Sequence, residues 1–562
     1  MLKNTEQKSI LYLVGLIGSL TSLVISPQLT FDVTNPIKLL FLTAGGFASF
    51  AMFLTYKLYA ANKNYRTINI LALYFFITAV AIFFISSGNF TTQFYGVHGR
   101  NTGLLAYASL LSILLASVYA SNKENLNQLM RFFLITGSIS VLYGLLQIFN
   151  LDPMPWDKAG NWITSFYANP NFFSAFTGIF SGALFGIFFK PSLKRRHRIL
   201  IIFTFLISVY VLKETGNYQG PAVLMIIVCV EVFLLLRNIK LFKASYFFLT
   251  GVIALIAWAI LDLLRVLPWT SLLYKPSVGA RGDYWRTSWR IFNDNFLFGV
   301  GFDGYRNFEG RYRDLASTYS GEALLYTDAS HNVFLDFAVN GGIFYLSGYL
   351  LLLAFTLRSS VRIIRRHPVL DMNFVIIFSC WIGYLAQSAI SFNHLGLAVW
   401  GWIFSGTLIG YEIYDANRVE EVSKSSPGRQ VKIKSSADKK FLGISLLAGV
   451  LGGLVALPVY IANAEMWRGI KKQDIAIVES AAYKWPRDVV RMSITAQLLN
   501  RVGKNKEALN LLDNAHDLDP QSVIPLKLIY DYLPSDDANK TKVKAEIEKL
   551  DPYYFQIVER NK

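Results

Sequence analysis

A chain of 562 residues that is 53% hydrophobic and only 16% charged is too apolar to be carried by water, which excludes an ordinary soluble globular protein and makes the bilayer its solvent. The net charge of +17 is mainly a topology signal, as the loop charges below indicate, and gives no case for nucleic-acid binding. The two cysteines, Cys229 and Cys380, both lie inside apolar runs, which excludes a disulfide framework and a CxxC metal site.

Crossing a hydrocarbon core of roughly 30 Å takes about 20 helical residues. Apolar stretches of this kind recur near 10–26, 37–56, 68–86, 103–120, 131–149, 172–189, 199–212, 220–236, 245–264, 342–357, 374–390, 395–412 and 441–461. The expected fold is therefore all-α: a polytopic membrane bundle of about thirteen transmembrane helices. The first stretch lacks a small-residue cleavage site and is read as a retained helix rather than a signal peptide. Lys and Arg crowd one set of alternate connections, including KPSLKRRHR (190–198) and RSSVRIIRR (358–366), while the short connections of the other set hold only Lys38, Arg100, Lys158 and Lys213. Positively charged loops resist translocation, so the N-terminus is expected inside and the 265–341 segment outside. An odd number of spans then leaves the C-terminal tail outside as well.

Four regions follow: a membrane body over 1–413, a basic, Ser-rich cytoplasmic linker at 414–440 that should be flexible, a last span at 441–461, and an extracytoplasmic helical tail at 463–562. In the tail, KWPRD and LDPQS set Pro486 and Pro520 one tetratricopeptide period of 34 residues apart, and a third LDP ends at Pro552. A helical repeat of this type offers a docking surface for a protein partner or glycan; the plainer alternative is an α-helical cap.

The outer segment 265–341 carries equal numbers of basic and acidic residues and holds RGDYWRTSWRIFNDNFLFGVGFDGY (281–305) and DASHNVFLDFAVNGGIFYL (328–346). Its literal G-x-G-x-x-G at Gly299, Gly301 and Gly304 lacks the preceding strand and βαβ unit of a dinucleotide-binding turn and is read instead as tight turns allowing close backbone approach. Asn169, Pro170 and Asn171 read as the turn that starts a helix.

Arg281 with Trp285 in R-x-x-x-W, the FGVG turn, and His331-Asn332 followed by Gly341-Gly342 together resemble the bacterial O-antigen ligase and O-antigen polymerase superfamily, over roughly residues 90–410. The resemblance implies transfer of a glycan from an undecaprenyl-diphosphate-linked donor to an acceptor hydroxyl at the outer face of the inner membrane, with inversion, without metal and without a cofactor. The acceptor is left open among a glycan, a lipid and a protein. On that chemistry His331, with a near-neutral pKa, is the expected general base. Arg281, a permanent bidentate cation, is the expected clamp on the diphosphate. Lys213, Gln219, Arg100, Arg286 and Asn332 are the further substrate-binding candidates. Arg281 has ion pairs with Asp283 or Asp328 as its structural alternative, Arg286 and Arg290 have a surface role, and His98 has a structural one. Where the family often carries Ser-Arg-Gly, this chain has Tyr218-Gln219-Gly220, so a neutral amide replaces a charge unless Lys213 supplies it. The rival readings are a lipid-linked glycan flippase or transporter, a protein O-oligosaccharyltransferase, and an inert scaffold whose tail recruits enzymes. Charges that concentrate at span ends and in one asymmetric loop argue against the transporter.

Overall fold

Inside lipid every backbone N–H and C=O must be satisfied within its own segment, so long apolar runs fold as helices. The computed structural model describes residues 4–59, 63–154, 156, 162–266, 273, 276–319, 326–424 and 438–560, and among these no strand occurs. Lys158 and linker residues 425–437 lie outside the described residues. Each apolar stretch is helical. In chain order they are α1 (Asn4–Leu23), α2 (Asn35–Tyr59), α3 (Arg66–Ile85), the short α4 (Phe90–Tyr95), α5 (Leu104–Ala120), α6 (Leu126–Ile148), α7 (Pro170–Phe188), α8 (Arg195–Glu214), α9 (Gln219–Asn238) and α10 (Phe242–Leu263). The 265–341 segment contributes α11 (Pro276–Asp294) and α12 (Tyr305–Tyr312), and the body closes with α13 (Val333–Arg366), α14 (Met372–Ser388), α15 (Leu395–Lys424) and α16 (Asp438–Lys472). Among the described residues 8 helices are long and apolar enough to cross a membrane, with α5 and α14 apolar but shorter. The protein is a multi-pass membrane protein.

Helices α5, α7, α14 and α15 form the interior and are buried along most of their length. Close backbone approach makes this possible, as at Gly406 and Gly410 of α15, which face the carbonyls of Leu114 and Val118 on α5. At the other extreme α10 packs on α9 and leaves Phe247, Leu255 and Ile256 exposed, as a lipid-facing helix would. The α15 helix runs on to Lys424, so residues 414–424 are helical where composition suggested a flexible linker. Tyr414–Lys424 contains neither Pro nor Gly, and Arg366 pins the extension at 2.5 Å from Asp415 and 3.2 Å from Glu412. The last helix likewise continues past the expected span to Lys472.

The long α13 is broken at Gly342, whose φ of 62° suits glycine. Residues 296–301 fill the break: Val300 N–H donates to Val339 O at 2.8 Å, Gly301 N–H to Asn340 O at 2.9 Å, and Ile343 N–H to Phe296 O at 2.7 Å. A Cβ at Gly299 would sit 2.3 Å from Val339 O, so the glycines of the FGVG turn serve backbone-to-backbone approach against α13.

The tail forms α17 (Ile475–Tyr483), α18 (Val489–Arg501), α19 (Asn505–Leu518), α20 (Val523–Tyr532), α21 (Ala538–Leu550) and α22 (Tyr554–Arg560). Successive helices pack on each other, and α18 and α20 start 34 residues apart, at Val489 and Val523. The tail docks on the 265–341 segment, which places both on one side of the bundle. Arg313 reaches Asp551 at 2.5 Å with both side chains buried, and the Tyr326 hydroxyl donates to the same carboxylate. Asn307 and Asn89 donate to Asp519 at 2.8 and 3.0 Å, and Arg560 stacks on the Tyr319 ring at 4.0 Å. Breaking a buried ion pair from one side costs about 3–5 kcal/mol, because the other charge stays buried. Arg313→Ala and Asp551→Ala are therefore expected to speed amide hydrogen exchange in α12 and α21 while leaving α5 and α15 protected. Unchanged exchange in α12 would mean that the tail is held by other contacts.

Candidate active site

The site is assembled on one side of the bundle by four chain segments: the turn before α5, helix α11, the end of the 265–341 segment, and the tight connection between α14 and α15. The first brings Arg100, which is almost fully buried. Its guanidinium donates to Asp328 O at 2.6 Å and lies 3.5 Å from Asp336 and 4.0 Å from Asp303. Burial works against the charge, but Asp303, Asp336 and Asp328 together raise the pKa of Arg100. Asp303 also accepts from Val97 N–H at 2.9 Å and from the Thr102 hydroxyl at 2.7 Å, fixing the Arg100 turn to the FGVGFDG turn. Asp336 in turn accepts from Ser330 N–H at 2.8 Å.

His331 adopts a left-handed backbone with φ of 51°, immediately before Asn332 caps α13 by accepting from Phe334 N–H at 2.9 Å and Leu335 N–H at 3.2 Å. The left-handed turn is one that His and Asn side chains tolerate better than most. The imidazole stacks on Tyr284 of α11 with centroids 5.3 Å apart and meets Phe392 edge-on at 5.1 Å. Burial first, and then the nearby cation of Arg281, lower its pKa to about 4, with Arg100 adding to the effect and Asp328 opposing it. The ring is therefore neutral near pH 7.

Arg281 stands within α11, which already begins at Pro276, and not at the helix opening expected from R-x-x-x-W. Its Nε–H donates to Ile390 O at 2.9 Å, and burial lowers its pKa. The carboxylates expected to compete for it are engaged elsewhere: Asp283 with Arg286 and Asp328 with Arg306 at 3.5 Å. The α14–α15 connection thus joins the three groups, with Ile390 taking Arg281, and Phe392 lying under His331 and 4.5 Å below Arg100.

The remaining candidates are placed differently. Arg286 is held by Asp283 and, at 3.0 Å, by Asp314, and Arg290 donates to Tyr312 O at 3.2 Å; both keep the exposed, structural character of surface ion pairs. Asn332 acts on the backbone as a cap. Lys213 is 81% exposed, 3.8 Å from Glu214. Gln219 opens α9 buried, with neither amide atom hydrogen-bonded. It reaches the His331 region only through α7, where Gly220 N–H donates to Ser174 and the nearby Phe172 packs on Phe392 at 5.0 Å. His98 stacks beside Phe31 at 6.1 Å, and Asn169 caps α7.

Sequence reasoning missed the connection SFNH (391–394). It reads as a short linker between two spans, yet it supplies Phe392 and a buried His394 that stacks on Phe172 at 4.8 Å. The signal was a histidine and an aromatic ring at the mouth of two spans. Missed as well was Lys38, buried at the start of α2, whose ammonium donates to Thr21 O at 3.0 Å and Ser22 O at 2.6 Å. Removing the α13 cap by Asn332→Ala is expected to cost about 1 kcal/mol, whereas Asn332→Asp preserves it. A thermal-unfolding series in detergent checks this, and equal midpoints for the two variants would refute it.

Among known proteins, residues 203–350 match the family model described as O-antigen ligase. The matched stretch runs from within α8 to within α13 and contains Lys213, Gln219, Arg281, Arg286, His331 and Asn332. No curated protein matches the chain. The chain thus combines a multi-pass helical body with a stretch between α8 and α13 that is similar to the O-antigen ligase family.

Proposed function

We propose that the protein transfers a glycan from an undecaprenyl-diphosphate-linked donor to an acceptor hydroxyl, at the outer face of the inner membrane and in a metal-independent, inverting reaction. The observation that carries this reading is the convergence of a neutral imidazole and two guanidinium groups around Phe392 and Ile390. In the reaction the acceptor oxygen attacks the anomeric carbon and yields its proton to His331. The bond from that carbon to the diphosphate oxygen breaks, and the leaving diphosphate gathers negative charge beside Arg281. Arg100 is compensated by carboxylates and acts as a positioning group that holds the Asp328–His331 turn in place. Because Arg281 and Arg100 depress the basicity of His331, an arriving diphosphate offsets part of that effect and makes the imidazole a stronger base once the donor is bound. The acceptor is a glycan, a lipid or a secreted protein.

Transfer in proteoliposomes carrying a lipid-diphosphate donor tests this. His331→Ala is expected to lose about 10²–10⁴-fold in rate and Arg281→Ala about 10²–10³-fold, while Arg286→Gln, which disturbs a surface ion pair, keeps most of the activity. Full activity in His331→Ala would remove the general base from the scheme. The pH profile supplies a second check. A base held at about 4 rather than 6.5 is deprotonated through the neutral range, so kcat/KM should stay level as pH falls and drop only toward about pH 4. The limb of kcat should lie at higher pH, because the bound diphosphate raises the pKa.

A second reading, movement of the lipid-linked donor across the bilayer, draws on Glu231. This residue is buried within α9, away from the span ends where the sequence's charges concentrate, and neither carboxylate oxygen has a hydrogen-bond partner. Intramembrane ionisable groups are expensive and usually functional. Translocation of the donor without transfer to any acceptor would favour this reading.

A further inference from the structure

The end of α16 and the α1–α2 connection enclose a cavity of about 450 Å³ that the chemistry above does not use. Its size falls in the range of small-ligand sites. The walls are Leu29 from the connection and Tyr460, Ile461, Trp467, Arg468 and Lys471 along one side of α16. The connection is a preformed wall: the Ser26 and Thr30 hydroxyls bond at 2.6 Å, Asp32 caps α2 through Thr34 N–H at 2.9 Å, and Phe31 N–H donates to Asn463 O at 3.3 Å. It holds Leu29 at the cavity with 61% of its surface exposed.

Three features of this cavity point to one kind of ligand. Charge is unbalanced, since Arg468, Lys471 and Lys472 line the cavity with Glu465 as the one acidic lining residue, and that single carboxylate is shared between Arg468, at 3.6 Å, and Lys484. Trp467 lines the cavity, and its buried indole N–H has no acceptor within the protein. On its side away from the bundle the same helix exposes Leu447, Leu451, Leu454 and Ile461, an apolar track leading to the cavity. Lysines in a last helical turn can simply offset the helix dipole, but that explains neither the orphaned indole nor the exposed Leu29. Tryptophan where apolar sequence gives way to cations is the pattern of a membrane–water interface.

We propose that this cavity binds the phosphate-bearing headgroup of a membrane lipid, with its acyl chains along the apolar track of α16, as a site separate from the Arg281–His331 centre. Basic residues at a membrane surface attract anionic lipids through this chemistry. Free phosphate offers the same group without the chains, and the two sources are separable.

The test uses the full chain in phosphatidylcholine nanodiscs, with native mass spectrometry of retained lipid and a competition series of phosphatidylglycerol and inorganic phosphate. Wild type is expected to retain phosphatidylglycerol over phosphatidylcholine, and Arg468→Gln with Lys471→Gln should weaken that retention about tenfold or more. Leu29→Asp should weaken lipid binding from the α1–α2 wall of the same cavity without removing a cation, and Trp467→Phe should do so without removing an aromatic ring. Circular dichroism of each variant confirms that it is folded. Equal retention of the two lipids, folded variants that bind as wild type does, or inorganic phosphate binding as tightly as the lipid would each overturn the proposal.

Discussion

The interaction on which the rest depends is the burial of Arg100 among Asp303, Asp336 and the carbonyl of Asp328. A guanidinium removed from water is tolerable only when carboxylates and oriented carbonyls replace its hydration. Here those partners come from the turn after α11, from the first turn of α13 and from the loop that carries His331. One cation therefore ties together three segments that each lie more than two hundred residues from it in sequence. The position of His331 follows from it: the Ser330 N–H bonds to the same Asp336 that faces Arg100, and the imidazole is left between Tyr284 and Phe392.

The break in α13 makes the second constraint. Unwinding at Gly342 frees backbone groups where a helix would have used them internally, and in a water-poor setting these need replacements. Residues 296–301 supply them by ladder-like hydrogen bonding, so the 265–341 segment is welded to the membrane body at the level of the break. The glycine pattern that resembles a nucleotide-binding turn is the geometric requirement of this weld.

Much of the fold was legible because lipid solvation leaves a strong mark: each of the thirteen apolar stretches falls on its own helix of the body, and only α4, α11 and α12 have no such stretch. Boundaries set by continuity were not legible. Nothing in the composition of 414–424 signals that Arg366 and His367 hold Asp415 and prolong α15, and R-x-x-x-W does not reveal that α11 begins several residues before Arg281. The site was half legible. His331, Arg281 and Arg100 stand out by residue type at the mouths of spans, but that they share Phe392 and Ile390 is a property of helix packing, invisible to a one-dimensional pattern. The buried Glu231 shows the same limit, since its depth in α9 becomes meaningful only once α7 and α14 are seen to enclose it.

The docking of the tail on α12 has a consequence for biogenesis. Arg313 leaves the ribosome more than two hundred residues ahead of Asp551, and the intervening chain must first thread α13 to α16 through the bilayer. During that interval the 265–341 segment carries a cation, a tyrosine and an asparagine whose partners do not yet exist. Helices α19 to α21 thus complete the neighbourhood of a charged segment made long before them, and a chain stalled or clipped before α21 would leave that surface unfinished.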